Sequence, residues 1–208
     1  GFLDEQRFRV FAATDVSQDE IDTTLQHVSD AYELWMGSPY YGKNQAKAIY
    51  IMITGKDLDA GEVANREYCD HLADTGFATA QWCNPDTYIS YVTNGGASIS
   101  SMAPVDGFHF MIIAAKDGVT NNGYKQMAYH EMFHVYQHTN VFSDSVDEVD
   151  SKMGRMSGDN PKELVPWWME GHADFFSALY SRDAGGFKDE MQCALECTGP
   201  FSVSRKEK

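Results

Sequence analysis

The segment "YHEMFHVYQH", Tyr129 to His138, places His130 and His134 four residues apart, with Glu131 beside the first. On an α-helix that spacing turns two side chains by only about 40° and separates them by about 6 Å along the axis. Two imidazole nitrogens can then aim at one ion. Glu131 is turned about 100° from His130, which keeps it out of the same coordination plane but within reach of a water held by that ion. This is the H-E-x-x-H pattern of two zinc ligands and a general base. Ordinary packed histidines are the plain alternative. Against them, Met132, Phe133, Val135 and Tyr136 predict a buried helix, where an unpartnered glutamate is unfavourable.

A catalytic zinc site takes a third protein ligand and keeps one position open for water. His138 is two turns along the helix, about 12 Å from His130, too far to share an ion. The longer pattern H-E-x-x-H-x-x-G-x-x-H fails, because Gln137 and Asn140 stand where it has Gly and His. An Asp from the acidic stretch after residue 143 has no helical frame to fix it. Glu170, in "WWMEGHADFF", is the best candidate. It sits early in a predicted amphipathic helix, and Trp167, Trp168, Met169, Phe175 and Phe176 draw that helix toward the core. Asp174 follows four residues later on the same face and can accept the second N–H of a ligand histidine.

"HEMFH" followed by "WWMEGHADFF" resembles the gluzincin branch of zinc metallopeptidases, which holds the thermolysin-like and aminopeptidase N-like enzymes. The resemblance covers mainly Tyr129 to Tyr180. It implies His130, His134 and Glu170 as zinc ligands, Glu131 as the base and Asp174 as the acceptor behind a ligand. It also implies a twisted mixed sheet, with an antiparallel edge strand that pairs with an extended peptide substrate. "ISYVTNGGASISSM" is the candidate for that edge and its approach. Gluzincins also present a Tyr or His to the oxyanion, and no motif fixes that position here. His172, Tyr180 and Tyr136 are chemically able. His172 is turned about 200° from Glu170, and Tyr180 is the preferred candidate.

The activity this implies is zinc-dependent hydrolysis of a peptide or protein substrate by a secreted endopeptidase. The rival is a non-catalytic zincin-fold binding module that keeps the metal for stability. Glu131 argues against the rival, since a purely structural site needs no base.

These residues need a frame, and the chain supplies one in order. "RFRVFAAT" (Arg7 to Thr14) and "KAIYIMITG" (Lys47 to Gly55) read as strands. Between them a helix runs through "QDEIDTTLQHVSDAYELWMG", capped by Asp15 or Ser17. "GEVANREYCDHLAD" reads as a helix; "TYISYV" (Thr87 to Val92) and "GFHFMIIAA" (Gly107 to Ala115) read as strands. Helical pattern follows from Gly123 to about Asn140, and Pro166 opens a last long helix closed by Gly185 and Gly186. The plan is α+β, one zincin-like catalytic domain over 1–208. It divides into sheet and helices (1–122), zinc-binding helices (123–186) and a C-terminal extension (187–208).

Composition narrows the partners. With 208 residues, 43% of them hydrophobic, the chain can bury a sizeable core. Its formal net charge of -15 argues against nucleic acid and anionic membrane surfaces as partners. No apolar run approaches the roughly 20 residues of a membrane span. The opening "GFLDEQ" reads as a mature or trimmed chain. Four cysteines allow two disulfides, and Cys69–Cys83 with Cys193–Cys197 closes two short loops. A four-thiolate zinc site and free buried thiols are the rivals. Paired cysteines imply a secreted, extracellular or periplasmic location. His27, His71 and His109 are isolated and read as surface or core residues. The stretch with Asp144, Asp147, Glu148 and Asp150 lacks EF-hand spacing and reads as a solvated acidic loop rather than a calcium site.

Overall fold

The computed structural model describes residues 7–36, 48–74, 83–103, 108–114, 121–140 and 169–181. Within them the order is β1 (Phe8–Ala12), α1 (Gln18–Met36), β2 (Ala48–Thr54), α2 (Leu58–Asp74), α3 (Pro85–Asn94), β3 (Gly96–Ala103), β4 (Phe108–Ala114), α4 (Asn121–Asn140) and α5 (Met169–Ser181). The four strands form one mixed sheet in the order β1-β2-β4-β3. β1 pairs parallel to β2 from Phe8↔Ile49, and β2 pairs parallel to β4 from Ala48↔Phe108. β3 runs antiparallel to β4 and forms the edge, with a register shift between Ser101 and Ala103.

The alternation of side chains along a strand divides the interior in two. All seven residues of β2 are buried. Ile49, Ile51 and Ile53, with Met111 and Ile113 of β4, join a core with Val28, Ala31 and Trp35 of α1, Met132, Phe133 and Val135 of α4, and Ala173 of α5. The intervening Tyr50 and Met52, with Phe110 and Ile112, pack on Tyr68 and Leu72 of α2 and Tyr88 and Val92 of α3. A central strand apolar on both faces is what a sheet covered on both sides requires. Helices α1, α4 and α5 therefore lie on one side of the sheet and α2 and α3 on the other.

Caps fix where the helices start. Ser17 and Glu20 form a reciprocal box: the Ser17 N–H donates to Glu20 Oε2 at 3.0 Å, and the Glu20 N–H donates to Ser17 Oγ at 3.3 Å. Asp15, the other expected cap, instead accepts the N–H groups of Lys56 and Asp57 at 2.7 and 2.9 Å, tying the end of β1 to the start of α2.

One element departs from expectation. Thr87 to Val92 lie in helix α3, not in a strand. Its β-branched and aromatic residues favour extended chain, but the flanks decide otherwise. Asn84 caps the helix by accepting the Asp86 N–H at 2.9 Å, and Pro85 occupies the first turn. Tyr88 and Val92, one turn apart, are then buried together, while Ile89 is exposed. Gly95 ends the helix at φ 69°, and Gly96 follows at φ 113°, a region that glycine enters without a Cβ clash. The chain turns there directly into edge strand β3. Among the described residues no helix is long and apolar enough to cross a membrane.

Candidate metal centre

Helix α4 packs against α1, α5 and β3. Its buried stripe of Ala128, Met132 and Val135 faces the core. That orientation brings His130, Glu131 and His134 together, with one possible ligand atom of each lying within 4.8 Å of the others. Glu131 and His134 are each only 6% exposed. The two imidazole rings stand nearly perpendicular, at 80°, with centroids 4.7 Å apart.

The ring nitrogens are arranged by role. His130 Nδ1 lies 2.9 Å from Asp174 Oδ1 on α5. His134 Nδ1 lies 2.7 Å from Gln137 Oε1, one turn further along α4. A carboxylate oxygen and an amide oxygen only accept, so each Nδ1 carries the hydrogen. In the neutral rings both Nε2 atoms are then lone-pair donors, and they face each other at 3.0 Å, a spacing that a shared proton or a metal ion would satisfy. Two lone pairs at that distance repel unless something electron-poor lies between them. Zinc–nitrogen bonds of about 2.0–2.1 Å at a tetrahedral angle put two nitrogens about 3.3 Å apart. The observed spacing is within a few tenths of an ångström of that, so the donor set fits a metal ion.

Helix α5 reaches the site because three aromatic contacts hold it there. Trp35 of α1 meets Phe133 of α4 and Phe176 and Tyr180 of α5 edge-on, with centroids 5.1, 5.9 and 5.3 Å away. Its indole N–H donates to the Tyr129 carbonyl at 3.3 Å. Phe133 also packs on Phe176 at 5.2 Å. These contacts set the register in which Asp174 meets His130.

The remaining sequence candidates fall as follows. Glu170 lies in the first turn of α5, four residues before Asp174 and so on the same helical face. Tyr180 is 45% exposed and rests on Trp35, and six residues put it about 240° around the helix from Asp174. Tyr136 packs on Phe133, and His172 stacks on Phe176. His71 packs against Tyr50 and Phe11, and His109 is fully buried in β4. Cys69 and Cys83 are neighbouring, half-buried thiols; burial, and then the hydrogen bond with Cys83, push the Cys69 thiol up to about 12. Cys193, Cys197 and the acidic stretch from Asp144 to Asp150 lie outside the described residues. Gln137 was visible in the sequence only as a position that lacked glycine; its spacing of three from His134 was the signal for contact.

No family model, curated protein or solved structure matches this chain.

Proposed function

We propose that this protein is a zinc-dependent peptide hydrolase of gluzincin type, with a zincin-like fold. The observation that carries the reading is the pair of facing Nε2 atoms, each ring held from behind by an oxygen acceptor, with a buried glutamate beside them. His130 and His134 would hold the ion, and Glu170 would supply the third ligand. Its place one turn before Asp174 supports this, because Asp174 already touches the back of His130.

When bound, zinc lowers the pKa of its water toward about 7 and polarises a carbonyl. Glu131 then accepts the proton of the attacking water and returns it to the leaving amine. Asp174 and Gln137 keep the two rings aimed. Among the described residues, edge strand β3 pairs on one side only, with β4, and packs on α4; an extended peptide added to its other side would have the substrate geometry that β-augmentation uses. Tyr180 is retained as the candidate donor to the oxyanion. On α5 its ring packs on Trp35. A secreted location goes with this reading if the cysteines are paired.

The test combines metal content with hydrolysis. The purified protein should carry about one zinc, cleave casein, lose cleavage to a chelator and regain it with zinc. Glu131→Gln should keep the zinc and lose cleavage by several orders of magnitude, since it removes the base and leaves both imidazoles. Zinc without hydrolysis would instead favour a non-catalytic module, and near-normal activity in Glu131→Gln would exclude this mechanism.

A further inference from the structure

The two imidazoles are supported by different chemistry. Behind His130 stands the carboxylate of Asp174, half exposed and borne on another helix. Behind His134 stands the neutral amide of Gln137, on the same helix and only 9% exposed. We propose that Gln137 is a positioning residue that locks His134 in its Nδ1–H tautomer and so makes its Nε2 a permanent donor to the ion.

The argument starts from helix geometry. Residues three apart share a face, so an amide at position 137 reaches back to ring 134 without help from tertiary structure. At 2.7 Å the contact is short for a neutral N–H···O bond. Both partners are buried, so water does not compete for the imidazole N–H, and the alternative tautomer would leave that nitrogen facing an amide oxygen with no hydrogen between them. Both partners of this lock thus belong to α4, and burial of the helix shields it from water. The lock on His130, by contrast, needs a second helix, α5.

The neutral partner has a second effect. A carboxylate behind each ring would add negative charge to both donors. With an amide behind His134, only the His130 ring has a carboxylate behind it, and an ion bound there would keep more of its own charge. Partners behind metal ligands of this kind govern metal affinity by about 10–100-fold.

The experiment has two arms, and only the affinity arm rests on the metal reading. The first is the long-range proton–nitrogen spectrum of the zinc-free wild-type chain above the imidazole titration range. His134 should show hydrogen on Nδ1 and none on Nε2. The second is zinc affinity by competition with a chromophoric chelator. Gln137→Leu, which keeps bulk and removes the acceptor, should weaken zinc about 10–100-fold. Gln137→Glu restores an acceptor and should lose nothing. A wild-type His134 protonated on Nε2 overturns the inference. So does Gln137→Leu with affinity within about twofold of wild type. If Gln137→Leu does not fold, Gln137→Glu still decides, because a tenfold loss there would show that an acceptor is not what the position supplies. A wild-type chain that binds no zinc would sink the metal reading, and the tautomer spectrum would still judge Gln137.

Discussion

Trp35 joins three helices, and its removal is the sharpest test of how the site is held. The side chain is 8% exposed and meets Phe133, Phe176 and Tyr180 edge-on while its N–H reaches the Tyr129 carbonyl. Truncating a buried aromatic to alanine costs about 3–5 kcal/mol, from lost transfer energy and the cavity left behind. Trp35→Ala should therefore lose about 4 kcal/mol, a large share of the roughly 5–15 kcal/mol by which domains are stable. Trp35→Phe keeps a ring in the same space. It loses the hydrogen bond, which at 3.3 Å belongs at the weak end, about 0.5–1 kcal/mol, plus a smaller cavity. About 1.5–2 kcal/mol in total is expected. Urea unfolding of both variants, compared at equal m-values, measures the two costs. In a chain of this size a loss of about 4 kcal/mol lowers the melting temperature by roughly 8–16 °C. A Trp35→Ala variant within about 1 kcal/mol of wild type would refute the packing argument. Equal losses in the two variants would shift the role from packing to the bond.

Three further outcomes follow from the site and its frame. Glu170→Ala should bind zinc far more weakly; a full zinc complement, read by metal analysis, would move the third ligand elsewhere, the acidic stretch from Asp144 to Asp150 being next. His109 is fully buried, and burial holds its imidazole down at about 4 against an ordinary value near 6.5. The unfolded chain thus binds the extra proton between those values. Stability should be fully present above about pH 6.5 and fall as pH drops toward 4, by on the order of 3 kcal/mol from this group. His109→Leu should flatten that part of the profile, and an unchanged slope would contradict the assignment. Cys69 and Cys83, already adjacent, should join under oxidised glutathione, and Cys193 should pair with Cys197. The first bridge closes over thirteen intervening residues and should stabilise by roughly 3 kcal/mol. Mass mapping of non-reduced peptides decides both, and four free thiols would remove the argument for export.

The legible parts of this chain are those in which one pattern dominates. Ile49, Ile51 and Ile53 announce a strand whatever lies around them, and α1 shows its helical spacing from Ile21 to Trp35 with a cap at Ser17. His130, Glu131 and His134 were legible because four-residue spacing on a helix fixes their geometry without tertiary information. "TYISYV" misled because its residue types favour a strand, while the cap at Asn84 and the spacing of Tyr88 and Val92 favour a helix, and burial against α2 settles the contest. Strand β3 is the reverse case. "GASISSMA" has little β-propensity of its own, and pairing with β4 makes it extended. The amide behind His134 went unread because motif reasoning asks what a position lacks, whereas Gln137 acts through what it can reach.

The parallel pairings of β2 also bear on the order of assembly. Phe8 meets Ile49 across 41 residues and Ala48 meets Phe108 across 60, so the sheet closes slowly, by long loops. Both helices of the candidate site follow all four strands among the described residues. A nascent polypeptide leaving the ribosome would therefore release these four strands before either helix of the candidate site could dock. On that hypothesis zinc meets a nearly native molecule, so it should slow unfolding and leave the main refolding rate unchanged. Stopped-flow traces with and without zinc would show this, and acceleration of the main refolding phase by the metal would mean that the site forms while the sheet is still open.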